Sequence, residues 1–199
     1  MPTGLSDPQL TAVAHDVRSL HNVGSIYRTA DAAGFSSVIC SGYSGAPPDP
    51  RIAKVALGAE ANLTTERIDS LPLLVERLAD SVVVVLEQNI DSVLPEDVGT
   101  VLSGLGASDR EIVLIACGEL TGAPDELIER ADMILELPMR GSKESLNVSV
   151  AFGIAAFALA AAVRPYRHDD LRSRQPVRAV REGVLTRGVT RGEIPEDRA

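Results

Sequence analysis

The chain has no tryptophan, and its three phenylalanines and three tyrosines make up only 3% of 199 residues. Because 45% of the residues are nonetheless hydrophobic, the core must be built from aliphatic side chains. Cysteine occurs twice, as Cys40 and Cys117, in separate apolar runs without C-x-x-C spacing. That excludes a disulfide framework and a cysteine zinc site, and it leaves two reduced, buried thiols. The isolated histidines His15, His21 and His168 lack ligand spacing, so no metal is expected. No G-x-S-x-G elbow and no phosphate loop are present, and "SGLGAS" lacks the third glycine of a dinucleotide fingerprint and precedes a strand instead of following one.

A membrane-length apolar run is also missing. The longest uncharged apolar segment, Val148 to Val163, has 16 residues, short of the roughly 20 that a helix needs to cross a bilayer. It reads as a helix buried against its own sheet or in a subunit interface. The opening "MPTGLSDPQL" has no basic region followed by an apolar stretch, so no secretory signal is read and the cytoplasm is the expected location.

Positive charge is scarce and unevenly placed. Lysine is confined to Lys54 and Lys143, and the net charge is −9. From Arg164 onward nine arginines face six acids, a net of +3, which leaves −12 on residues 1–163. Affinity for a polyanion comes from neutralising its phosphates, so a nucleic acid would have to meet a local patch.

What the chain does have is alternation. Continuous β-branched runs at 36–42, 81–87, 111–118 and 132–138 read as strands covered on both faces. Helical patterns fill 25–34, 49–60, 70–80 and 123–132. Strands alternating with helices imply an α/β fold, a mostly parallel sheet flanked by helices. Pro165, Pro176 and Pro195 interrupt any long helix beyond the apolar segment. The expected division is therefore a domain over residues 1–164 and an Arg-rich tail over 165–199, which reads either as an RNA-contacting arm or as a solvated terminal segment.

Three strand-end segments gather polar residues, and ligands of open α/β sheets bind beyond the carboxyl ends of strands. In "HNVGSIYRTADAAG" (21–34), Asn22 precedes the expected helix and Arg28 sits near its start, where an anion would be favoured; the alternative is a helix cap and a solvated charge. In "ACGELTGAP" (116–124), Gly118 and Gly122 surround Glu119 in a turn that lets a ligand approach main-chain amides, or that merely links strand to helix. In "LPMRGSKESLNVSVA" (137–151), a loop delivers Ser145 and Asn147 to the first turn of the alanine-rich helix, as site residues or as caps.

Taken in this order, the three segments resemble the signature motifs of the SpoU-type, or TrmH-like, branch of the SPOUT RNA methyltransferases. "NVGSIYRTADAAGF" is similar to the first motif, "IACGELTG" to the second and "LPMRGSKESLNVSVA" to the third, and "RIAKVALGAE" matches a weaker pattern between the first two. The resemblance covers about residues 15–163. It implies a sheet whose C-terminal part is threaded into a trefoil knot, a homodimer sharing its substrate site, and transfer of a methyl group from S-adenosylmethionine to a ribose 2'-hydroxyl of tRNA or rRNA. By motif position, the resemblance makes Asn22, Arg28, Glu119, Ser145 and Asn147 the catalytic set. It assigns the cofactor to main-chain groups around Leu86, Cys117, Gly118, Leu137, Met139 and Leu146. A noncatalytic knotted RNA-binding or ribosome-assembly protein is the alternative, motivated by the acidic domain and by Cys117, which stands where the family's second motif usually has its first glycine. Motif one begins near residue 21, so the RNA is expected to be gripped by the dimer surface or the tail.

Overall fold

The computed structural model describes residues 8–118 and 122–164. Six parallel strands form one sheet in the order β3-β2-β1-β5-β4-β6. They are β1 (Leu10–His15), β2 (Ser37–Ser41), β3 (Thr64–Ile68), β4 (Val82–Leu86), β5 (Ile112–Cys117) and β6 (Met133–Leu135). The four runs read as strands are β2, β4, β5 and β6, each one or more residues shorter at both ends than the sequence pattern.

Successive side chains of a strand point to opposite faces, so each buried run feeds two cores. On one face Ala12, Ala14, Val38, Val82, Val84 and Leu114 pack beneath α1 (Leu20–Ala33), α2 (Pro50–Ala56), α5 (Val98–Gly104) and α7 (Val148–Val163). On the other, Val13, Ile39, Val83, Val85, Val113 and Ile115 pack against Leu74 and Leu78 at α4 (Leu71–Arg77) and Leu127 of α6 (Asp125–Arg130). The scarcity of aromatics leaves a single ring pair, Phe35 and Phe152, at 6.0 Å among the described residues.

All four helical patterns shift at their ends, α4 and α6 by shortening within 70–80 and 123–132, and two departures go further. Helix α1 begins at Leu20 instead of near residue 25, because the Ser19 side chain accepts the Asn22 N–H and caps it. Asn22 is therefore inside the first turn and is not the cap, and Arg28 is in the middle of the helix, away from the anion-favouring start. The pattern over 49–60 breaks into α2 and a short α3 (Ala59–Asn62), since Leu57 and Gly58 both take positive φ.

Helix α7 matches the apolar segment residue for residue. It buries Phe152, Ala155, Ala156, Leu159 and Ala160 against the sheet and α1, and no helix of the described residues is long and apolar enough to cross a membrane. The tail assigned to 165–199 lies outside the described residues.

The amino ends of the strands are tied by charge. Arg77 donates to Glu111 at 2.9 and 3.1 Å and to Glu66 at 3.1 Å, and Ser81 donates to Glu111 at 2.7 Å. The described residues of the three motif segments follow the opposite, carboxyl ends of β1, β5 and β6, the end at which open α/β sheets bind ligands.

Candidate cofactor and substrate site

A cavity of about 170 Å³ opens at the carboxyl ends of β4 and β6. Its walls are Leu86, Leu135, Leu137, Met139, Leu146 and Ala151, with Glu87, Gln88 and Ser145 as the polar members. An apolar slot with a few placed polar groups is the composition of a small-molecule site, and it suits the flat face of a nucleobase. Of the residues expected to hold the cofactor, Leu86, Leu137, Met139 and Leu146 meet here, joined by Ser145. Glu87, Gln88, Leu135 and Ala151 were not singled out in the sequence. The first two follow Leu86 directly at the end of the run 81–87, but that strand end belongs to none of the three motif segments.

Cys117 and Gly118 do not line that cavity. The Cys117 side chain packs in the core on the α4 and α6 face, and burial, with the negative charges of Glu87 and Asp16, pushes its thiol up to about 12. Gly118 donates its N–H to the His15 carbonyl at 2.9 Å, and a Cβ at this position would lie 2.1 Å from the Asp16 carbonyl oxygen. Close approach of two backbones, not a positive φ, is what requires glycine here. The glycine shifted by one position in the second motif thus seals the loop against the end of β1. Glu119 lies outside the described residues.

The third motif places its two polar residues differently. Ser145 lines the cavity. Asn147 caps α7, its Oδ1 accepting the Ser149 N–H at 3.0 Å and the Ser149 hydroxyl at 2.7 Å. Its amide then donates to Asn22 Oδ1 at 3.2 Å. First and third motifs therefore meet beside the cavity, because α1 and α7 pack side by side on the same face of the sheet. Arg28 does not join them: six residues along a helix turn the side chain by about 120° away from Asn22, and Arg28 is exposed.

Residues 9–157 match the SpoU rRNA Methylase family. A curated relative, the 23S rRNA (guanosine-2'-O-)-methyltransferase RlmB of Pseudomonas putida, is 33% identical over 159 residues, covering 75% of this chain and 58% of that protein. The chain thus spans little more than half the length of the curated relatives it matches. An AdoMet-bound rRNA methyltransferase from Sinorhizobium meliloti superposes with a TM-score of 0.66 at 27% identity, over 79% of this chain and 57% of that one. The TrmH/SpoU tRNA modifying enzyme of A. aeolicus gives 0.64 at 27% identity, over 79% of this chain and 78% of that one. With the three motifs gathered at one end of a parallel sheet of the same architecture, the chain belongs to the SpoU rRNA methylase family.

Proposed function

We propose that the protein transfers a methyl group from S-adenosylmethionine to a ribose 2'-hydroxyl of RNA, tRNA or rRNA, as a cytoplasmic homodimer. The observation that carries this reading is the apolar cavity lined by Ser145 and Leu146, with Asn147, the next residue, hydrogen-bonded to Asn22. The bound donor supplies a methyl carbon on a cationic sulfur, open to in-line displacement. Leu86, Leu135, Leu137, Met139 and Leu146 offer the adenine an apolar slot, and the names of the S. meliloti and P. putida proteins are consistent with this donor and acceptor.

The chain's own contribution is alignment. Holding nucleophile and donor in a near-attack geometry replaces the entropy that a solution encounter would lose. Ser145 and the Asn22–Asn147 pair are the polar groups placed to orient a ribose, with Glu119 as the second-motif acid. Arg28 is a guanidinium and stays protonated, so it acts as a phosphate clamp and not as the base. Its exposed position in mid-helix suits RNA presented from a second copy.

The same reading assigns the exposed apolar stripe of α7, Val150, Ile154 and Phe157 (52%, 46% and 43% exposed), to the dimer contact. It also takes the C-terminal part as a trefoil knot. In support, Val93 pairs with the side of β6 away from β4, so the chain after β4 wraps around that edge strand before α7 returns over the sheet.

The test is methyl transfer from labelled S-adenosylmethionine into cellular RNA pools, with mass spectrometry of the nucleosides. A 2'-O-methylated ribose at a defined position is expected. Intact dimers that bind the donor and transfer nothing to any pool would instead support the noncatalytic RNA-binding alternative.

A further inference from the structure

The end of β4 carries two side chains to which the proposed reaction gives no part. Glu87 Oε2 accepts the Ala123 N–H at 2.9 Å, and its Oε1 accepts the Gln88 N–H at 3.0 Å. Gln88 Nε2 donates to the Glu144 carbonyl at 2.8 Å. Ala123 belongs to the loop leaving β5, which carries the second motif, and Glu144 to the loop leaving β6, which carries the third. Consecutive residues of an extended strand project to opposite sides, so Glu87 and Gln88 reach different loops from one strand end.

These loops have few other anchors. Residues 141–147 are all exposed, so burial does not fix the third-motif loop. On the other side, Gly122 takes φ 66°, and a Cβ there would stand 2.9 Å from Glu87 Oε2. A glycine at that point lets the carboxylate come close enough to take the next amide. Both Glu87 and Gln88 also line the cavity that the loops enclose.

We propose that Glu87 and Gln88 are positioning residues of the cofactor pocket, a two-sided latch that holds the second- and third-motif loops to the end of β4 and so sets the spacing of the cavity walls. The proposal rests on the reading of this cavity as the S-adenosylmethionine site. Charge-assisted bonds such as Glu87 to a backbone N–H are among the stronger kind, and both loops depend on β4, which is wholly embedded in the sheet between β5 and β6.

The test compares the full chain with Glu87→Ala, Glu87→Gln and Gln88→Glu by hydrogen exchange without ligand, by calorimetry with S-adenosylhomocysteine, and by thermal unfolding. Glu87→Ala is expected to speed exchange at the amides of Gly122 and Ala123 and to spare those of 139–146. Gln88→Glu, which sets an acceptor against the Glu144 carbonyl, is expected to do the reverse. Each should weaken S-adenosylhomocysteine about tenfold, the loss of roughly one good hydrogen bond, without a matching fall in Tm. Glu87→Gln keeps one acceptor, for Ala123, but turns its NH2 toward the Gln88 N–H and loses the charge, so its affinity should fall between those of wild type and Glu87→Ala. Unchanged exchange in both loops, or unchanged affinity beside a wild type that binds, would overturn the latch. A wild type that does not bind S-adenosylhomocysteine would overturn the cofactor reading instead, and the exchange pattern would still decide whether the latch exists.

Discussion

Asn147 and Asn22, 125 residues apart, are joined by a 3.2 Å side-chain hydrogen bond while Asn147 also caps α7 through Ser149. One amide thus serves two segments: its oxygen holds the first turn of α7, and its nitrogen reaches Asn22 of the first motif. The cap and the site role proposed for Asn147 are compatible, because they use different atoms.

Separating those atoms gives the first prediction. Asn147→Asp keeps the cap acceptor and loses the donor to Asn22; Asn147→Ala loses both. The aspartate variant is expected to unfold within a few degrees of wild type, and the alanine variant to lose about 1 kcal/mol, the usual worth of a cap. Methyl transfer should fall about tenfold or more in both. Equal activity in the aspartate variant would remove Asn147 from the site.

Arg28 is exposed in the middle of α1, so its replacement should leave the fold alone. Arg28→Ala is expected to change stability by less than about 0.5 kcal/mol, while weakening RNA binding and lowering the salt slope of that binding by about one. Arg28→Lys should recover most of the activity if Arg28 acts as a point charge, and little if a planar, two-bond contact to phosphate is required. Filter binding across a salt series distinguishes the cases.

The stripe on α7 predicts an oligomeric state. Ile154 is 46% exposed, so Ile154→Glu should fold normally and convert a dimer to a monomer by light scattering. If that variant remains a dimer, the contact lies elsewhere on the surface.

A pH dependence follows from the opposite end of the sheet. Burial opposes ionisation of Glu111, but hydrogen bonds from Arg77, Thr11 and Ser81 outweigh it and hold the carboxyl down at about 2. A carboxyl depressed in the folded state adds stability that is fully present above its ordinary pKa near 4.5 and is lost as pH falls toward 2. Denaturant midpoints should therefore fall through that window in the wild type. Glu111→Gln, which cannot ionise, should lower stability at pH 7 by about 2 kcal/mol and flatten the acid limb.

The strands that the sequence made legible were those whose apolar runs are pure enough to need no context: "VVVVL" in β4 and "IVLIAC" in β5. Two strands escaped. β1, "LTAVAH", lies between β2 and β5, yet its Thr11 and His15 break the apolar run. Both are buried with side-chain partners, Ser37 and Glu111 for Thr11 and Ser41 for His15. β3, "TTERI", sits at the edge beside β2, with exposed threonines that read as a loop. Helix α5 escaped as well, since "VGTVLSG" carries two glycines and little periodicity.

The site divides the same way. Motif residues named one at a time could be placed on strand ends and loops, because glycine, proline and cap chemistry are local. Their grouping was not local. Asn22 meets Asn147 because α1 and α7 pack on one face, whereas Arg28, in the same motif, is turned aside by the helix pitch. The Glu87 and Gln88 contacts join β4 to loops far along the chain and carry no periodic signal.

By itself, then, the sequence determined the alternation of strands and helices, the aliphatic core and the length of α7, all of which follow from short-range periodicity and side-chain type. The tertiary structure decided the strand order, the central strand β1 with its buried Thr11 and His15, the true start of α1 and which motif residues converge. Those depend on hydrogen bonds and packing between segments distant along the chain, whose geometry exists only once the sheet has closed around them.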